Sequence, residues 1–425
     1  MKKFLFPFAV LAFMLISCSE VSEYGIQESQ SINDSDLFRS AQDVTNIALQ
    51  IWTKSETKVI EASKFQAIPI ANRFAARNTD TPLLYAVSLT DDDGYMIIAS
   101  PKNVDPLIAI IDTGYYDPIK IESKPELKSI YALAEAYVAQ EMEKSATTGK
   151  DLPYIPVKFE YYDTITEDYR VGPFVKVHWS QDDPFDKYTS PYPAGCVPLA
   201  IASIMTYTEP LQYLITTAPD FPKQLLTLDW AKMRKHVLSG PVDYIGFTCT
   251  CGAYHDTMAK FVREIGYLAN ATYTQRPSTE VTAGNAMRVL QELHPNFNFK
   301  ETSNTVLLYN SIYKYGGVAL AGGGSPNIGG HAWVIDGVMR YGQEIRHYKY
   351  KTSVSGNYEL IDTQGKINDY FHCLWGFGGA SDGYFIRGIF DPKLASYVDY
   401  SIGNFPYNFT DNLRFGLLNK GSISF

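Results

Sequence analysis

Apolar positions along the first third of the chain switch between two periods. Over residues 34–55 they fall at Leu37, Ala41, Val44, Ile47, Ile51 and Trp52, mostly three or four apart, which predicts one face of a helix. Short β-like runs follow at residues 83–89, 95–99 and 107–111. Asp91-Asp92-Asp93-Gly94, between the first two, reads as a hairpin turn. Residues 126–145 return to helical spacing, with Leu127, Ile130, Leu133, Tyr137, Val138 and Met142 on one side. These elements predict a small α+β unit over residues 33–145. The polar stretch after it, Ser-Ala-Thr-Thr-Gly-Lys-Asp-Leu-Pro from Ser145, opens a linker assigned to residues 146–170. An exposed polar loop with a lysine is a preferred place for proteolytic cutting.

The texture then changes. Residues 195–207, 256–268 and 280–293 read as helices, the second with Met258, Phe261, Val262, Ile265 and Leu268 on its inner face. Strands dominate afterwards, at residues 317–321, 332–338, 358–361 and 383–389, among many glycines. Helices first and an antiparallel sheet later predict a second α+β domain, residues 171–425, with a seam between two layers.

The N-terminus carries a different signal. Lys2 and Lys3 precede an apolar run over residues 4–16, shorter than the ~20 residues that span a bilayer. Residues 1–17 are therefore read as a signal peptide. Leu15-Ile16-Ser17-Cys18 looks like a lipobox, which makes Cys18 the lipidated residue and residues 18–32 a tether. The expectation is an exported bacterial lipoprotein at the outer membrane, in the periplasm or on the cell surface. No later segment is long and apolar enough to cross a membrane.

Charge and cysteine usage narrow the function. Across 425 residues, 37 Lys and Arg face 46 Asp and Glu, a net charge of −9. That balance argues against broad electrostatic binding to nucleic acid, which needs a basic face. Cys249 and Cys251 stand too close for a good internal bridge and lack the second pair of a zinc site. Bridges among Cys249, Cys251 and Cys373 stay open. No metal-ligand cluster or phosphate loop is evident, so no cofactor is expected.

Cys196 differs from the other cysteines in its surroundings, Ala194-Gly195-Cys196-Val197-Pro198 followed by an apolar run. Proline in a first turn marks a helix start. A thiol at that end meets unpaired main-chain N–H groups and the positive end of the helix dipole, which favour a thiolate. Gly195 removes a side chain where a substrate backbone has to pass. A structural cysteine capping a core helix is the competing reading. A nucleophilic thiol needs a base. Of seven histidines, His331 is set apart by Gly329-Gly330-His331-Ala332-Trp333-Val334-Ile335-Asp336-Gly337, where two glycines are expected to open it to a cleft. A core histidine at a strand start is its competing reading. Gln181, in Trp179-Ser180-Gln181, can offer a side-chain N–H to a developing oxyanion, with the Cys196 main-chain N–H as second donor. The other histidines read as surface or packing residues, His372 less clearly so.

Four blocks in order resemble the streptopain family of secreted cysteine proteases, a papain-like clan. They are Trp179-Ser180-Gln181 with Pro184-Phe185; Gly195-Cys196-Val197; Gly329-Gly330-His331-Ala332 through Asp336-Gly337; and His372-Cys373-Leu374-Trp375-Gly376-Phe377-Gly378-Gly379 through Phe385. The base follows the nucleophile by 135 residues, a papain-like interval. The region around Gly94-Tyr95-Met96-Ile97-Ile98-Ala99-Ser100 is similar to the family's propeptide. The resemblance implies a papain-like two-layer catalytic domain, a helical part plus an antiparallel sheet, preceded by a small α+β propeptide domain. It implies a zymogen in which Cys196 attacks peptide carbonyls, His331 moves the proton and Gln181 helps to hold the oxyanion. Trp375 then shields His331, and the main chain of Gly195, Gly329 and Gly330 lines the substrate groove. Protein or peptide substrates and the chain's own propeptide are the implied partners. Leu374 stands where relatives often carry Asn, which leaves the group orienting His331 open. Phe377 replaces a second Trp. The stretch 340–370 is read as a solvated hairpin rather than a flap. Two other readings of the chain are a surface-binding lipoprotein on a decayed protease fold and an inhibitor acting through its N-terminal unit.

Overall fold

The computed structural model describes residues 37–55, 65–70, 81–89, 94–148, 157–161, 166–237, 254–273, 279–325, 329–350, 358–391 and 412–420. The signal peptide, Cys18, the tether, Cys249, Cys251 and Asp91 to Asp93 lie outside them.

The N-terminal unit holds helix α1 (Ala41–Ser55) and strands β1 (Phe65–Pro69), β2 (Leu84–Leu89), β3 (Tyr95–Ala99) and β4 (Leu107–Ile111). A short helix α2 (Pro118–Ser123) and a long one, α3 (Pro125–Thr148), complete it. Asp117 caps α2, its carboxylate accepting from the amides of Ile119 and Lys120. Leu127, Ile130, Tyr131, Ala134 and Val138 of α3 are buried, and Ala132 and Ala136 are buried too, so this helix sits inside the structure.

Within the span read as a linker, β5 (Val157–Tyr161) and β6 (Thr166–Val171) form strands. The second unit then runs through α4 (Cys196–Thr208), the hairpin β7 (Tyr213–Ile215) and β8 (Leu225–Thr227), and helices α5 (Trp230–Val237), α6 (Tyr254–Leu268) and α7 (Ala283–Glu292). After them come β9 (Asn298–Thr302), α8 (Thr305–Tyr315), β10 (Val318–Ser325), β11 (Gly329–Tyr350), β12 (Tyr358–Leu374), β13 (Gly383–Ile386) and β14 (Arg414–Asn419). Strand β11 pairs with β12 along most of its length, so residues 340–350 and 358–370 are the paired arms of a hairpin. The predicted strand over 383–389 ends early, turning into a 3₁₀ helix at Arg387–Phe390.

One sheet joins the two units. Its order is β1-β2-β3-β4-β13-β12-β11-β10-β14-β9, with β6 and β5 pairing farther along β11, and every described pairing is antiparallel. The seam is β4 against β13, where Ile111, Ile110 and Ala109 lie opposite Gly383, Tyr384 and Phe385. Gly383 is required there: a Cβ would stand 2.2 Å from the Ile110 carbonyl oxygen. Strand residues alternate between two cores, as a pleated strand dictates. Val318, Leu320, Ala332, Val334 and Leu418 pack with α4, α6 and α7. Ala319, Ala321, Trp333, Ile335 and Leu417 pack on the other face, in the core shared with the N-terminal unit. This is a mixed α+β architecture with a large antiparallel sheet and a helical layer, as expected. That the first unit extends the second unit's sheet was not legible in the sequence.

Candidate active site

Cys196 is the first residue of α4. Gly195 precedes it at φ 96°, a left-handed conformation that favours glycine, and Thr279 stands 3.0 Å from where a Cβ would sit. The helix behind Cys196 is apolar and buried from Val197 to Met205, which fixes the position of the thiol. The main-chain groups of Ala332 and Val197 lie at the sulfur and favour its ionised form. They do not win. Burial pushes the thiol up to about 11, and the Glu126 carboxylate at the start of α3 adds to the rise. The thiolate expected from the helix terminus is therefore suppressed in this state, because desolvation outweighs the main-chain N–H groups and the N-terminal unit brings a negative charge close.

His331 follows Gly330 on β11, where β10 lies alongside in the register Gly324 to Gly330 and Gly323 to His331. A Cβ at Gly330 would fall 2.3 Å from the Gly323 carbonyl oxygen, so this glycine meets the neighbouring strand rather than an open cleft. Gly329 begins the same strand. The imidazole is 5% exposed, not open as the flanking glycines suggested. It stacks on Phe377 with ring centroids 5.2 Å apart and lies near Trp333 and Trp375 at 6.4 Å. Burial pulls its pKa down to about 4, so the ring is neutral near pH 7. Its Nε2 is 2.8 Å from the Trp375 carbonyl oxygen. A carbonyl only accepts, so Nε2 carries the hydrogen and Nδ1 the lone pair. A main-chain carbonyl thus does what an Asn side chain at position 374 was expected to do, and Leu374 is free to pack in the core beside α4. None of the described hydrogen bonds joins Cys196 to His331. The two are neighbours through Ala332, whose main chain meets the sulfur.

The other blocks converge on the same place. The Ala194 amide donates to the Gln181 carbonyl at 2.8 Å, which ties the Gln181 loop to the residue two before Cys196. The Gly378 amide donates to the Trp179 carbonyl at 3.1 Å, and Ser180 bridges to Phe377. Val177, Trp179, Cys196, Leu199, Ala332, Leu374 and Asp382 are among the residues lining one small cavity. No described hydrogen bond engages the Gln181 side chain. Cys373 is a buried free thiol.

Two histidines missed as site residues sit where the units meet. His372, 1% exposed, donates from Nδ1 to Asp336 at 2.5 Å and from Nε2 to Asp112 at 2.9 Å. Burial alone would lower its pKa; the two carboxylates outweigh it and raise the pKa to about 10. Asp336 also accepts from the Val175 amide at 2.7 Å. His178 Nδ1 lies 3.2 Å from Asp382, which raises its pKa against the opposing effect of burial. The Asp112 amide donates to the Asp382 carbonyl at 3.0 Å. Lys124 pairs with Asp182 at 3.6 Å, beside Gln181. The N-terminal unit thus reaches the site through Asp112, Lys124 and Glu126. The only sequence signal was indirect: Asp336 lies in the His331 block and His372 opens the Trp375 block.

Residues 179–385 match the Peptidase C10 family. No curated protein matches the chain. Among solved structures, a fragment of prointerpain A from Prevotella intermedia, bearing a cysteine-to-alanine substitution, is similar to it. The identity is 17% and the TM-score 0.49, over 83% of this chain and 98% of that one. Among the described residues, no helix is long and apolar enough to cross a membrane, and no cluster of His, Cys, Asp or Glu could hold a metal ion.

Proposed function

Because residues 179–385 match the Peptidase C10 family, we propose that this chain is a self-inhibited cysteine endopeptidase. Cys196 is its nucleophile and His331 its base. The Cys196 sulfur attacks a peptide carbonyl carbon while its proton passes to His331 Nδ1. The side-chain N–H of Gln181 and the main-chain N–H of Cys196 hold the oxyanion. The intermediate collapses, the C–N bond breaks, and His331 gives the proton to the leaving amine. Water then cleaves the thioester and restores the thiol. Trp375 shields the imidazole, and the main chain of Gly195, Gly329 and Gly330 borders the groove.

One observation carries this reading: the neutral imidazole is held through Nε2 by Trp375, which makes Nδ1 the basic nitrogen, one residue from the amide that meets the Cys196 sulfur. The N-terminal unit, residues 33–145, acts as the inhibitory propeptide. Support comes from the Glu126 charge near the thiol, the Lys124–Asp182 pair and the β4–β13 seam. Activation is by cleavage within residues 146–170, after which His331 swings about its bond to Trp375 toward the sulfur. Residues 1–17 direct export, residues 18–32 tether the protein, and a lipid on Cys18 anchors it at the outer membrane or cell surface.

The test is hydrolysis of fluorescein-labelled casein by the full chain before and after limited trypsin treatment. Casein cleavage is expected to appear on processing and to be absent in Cys196→Ala and His331→Ala. Processed Cys196→Ala that still cleaves casein would exclude the nucleophile. Full activity in the uncut chain would exclude the inhibitory role.

A further inference from the structure

The bond from His331 to Trp375 moves the question one step outward, to what holds the Trp375 carbonyl. Trp375 follows the last residue of β12, and the chain then turns sharply, with φ of 81°, 69°, 89° and 59° at Gly376, Gly378, Gly379 and Ser381. This turn is held by its own main-chain bonds, Ala380 amide to Phe377 and Asp382 amide to Gly379, all beyond Trp375. It brings Asp382 back onto its starting point: Oδ1 accepts from the Trp375 amide at 2.7 Å, while Oδ2 lies 3.2 Å from His178 Nδ1. Asp382 is 1% exposed, so this charge-assisted bond is formed away from competing water. The amide it holds and the carbonyl that holds His331 flank the same Cα.

We propose that Asp382 is the positioning residue of the site: by clamping the Trp375 amide it aims the Trp375 carbonyl, and through it the imidazole of His331. The inference rests on His331 being the base. Asp382 borders the same cavity as Cys196, but its described side-chain bonds go to Trp375 and His178 and not to the sulfur or the His331 ring, so it acts through another group. Its charged neighbours are His178, across the other oxygen, and the His372–Asp112 pair, whose Asp112 amide meets the Asp382 carbonyl. The role is that of the missing Asn, divided between a carbonyl that makes the bond and a carboxylate that orients the carbonyl.

The experiment compares Asp382→Ala, Asp382→Asn and Asp382→Glu as full chains processed by trypsin. Asn keeps an oxygen for the Trp375 amide; Glu keeps the charge but displaces it by a methylene. Small misplacements at a reacting centre cost on the order of 100-fold in rate. The expected result is therefore a fall of about 10- to 100-fold in kcat on casein-derived peptides for Ala and Glu, with KM changed less than about threefold. Asn should recover most of kcat. In the uncut chains, the ¹⁵N signal of His331 should report the Nε2–H tautomer in the wild type and Asn variant and lose it in Ala and Glu. If Asp382→Ala does not fold, Asn against Glu decides by the same two readouts. Wild-type kcat and an unchanged tautomer in a folded Ala or Glu variant, or an equal loss in Asn and Glu, would overturn the proposal. An inactive Cys196→Ala beside a fully active Asp382→Glu would sink this inference alone; an active Cys196→Ala would sink the assignment beneath it.

Discussion

Replacing Asp112 by asparagine removes the charge through which the N-terminal unit grips a buried histidine. His372 lies between Asp112 and Asp336 at 2.9 and 2.5 Å and is 1% exposed. The rise of its pKa from 6.5 to about 10 corresponds to about 5 kcal/mol in favour of the protonated ring, at ~1.4 kcal/mol per pH unit. Asp112 makes one of the two charged hydrogen bonds that outweigh burial, and a hydrogen bond to a charged group contributes ~1.5–3 kcal/mol. Asparagine keeps the oxygen and the shape and loses the charge. In full chains also carrying Cys196→Ala, which removes the proposed nucleophile, Asp112→Asn should destabilise by ~2 kcal/mol, a fall of about 4–8 °C or somewhat less in a chain of this size. The sign with pH follows from the upward shift. The contribution is complete below the unfolded pKa of 6.5 and disappears as pH rises through about 10. The gap between the two proteins should therefore be widest near pH 6 and close toward pH 10. Thermal unfolding across that range measures it, and amide exchange at the β4–β13 seam locates it. Equal stability near pH 6, or a gap that ignores pH, would refute the argument that a charged His372 holds the unit.

Three further outcomes follow from the same geometry. Glu126→Gln in the uncut chain should make Cys196 easier to ionise and speed its alkylation by iodoacetamide several-fold at about pH 8; the buried Cys373 thiol, also pushed up by desolvation, should stay unlabelled. Gly330→Ala places a Cβ 2.3 Å from the Gly323 carbonyl and should cost ~1–3 kcal/mol by chemical denaturation, whereas Gly365→Ala, with nothing within 4 Å, should be nearly neutral. Gln181→Ala in the processed enzyme should lower kcat by about 100-fold with little change in KM, and an unaltered kcat would remove Gln181 from the oxyanion site.

Period and motif alone determined a great deal here. Strands β3 and β4 fall where the apolar runs predicted them, and α4 and α6 begin and end within a few residues of their helical patterns. These are local properties: side-chain spacing selects the element, and a proline or glycine selects its end. The four blocks carrying Gln181, Cys196, His331 and Trp375 could likewise be picked out as candidates, because residue type limits what an atom can do. What tertiary structure decided was partnership and environment. Asp112 and His372 lie 260 residues apart, and no pattern in either stretch names the other. The helix terminus at Cys196 promised a thiolate, yet burial and the Glu126 charge make it a thiol, because desolvation depends on everything folded around the sulfur. His331 was placed in an open cleft and is buried against Phe377, held by a carbonyl that any residue at position 375 would carry. A main-chain acceptor leaves no trace in a sequence, and neither does the Asp382 carboxylate that aims it.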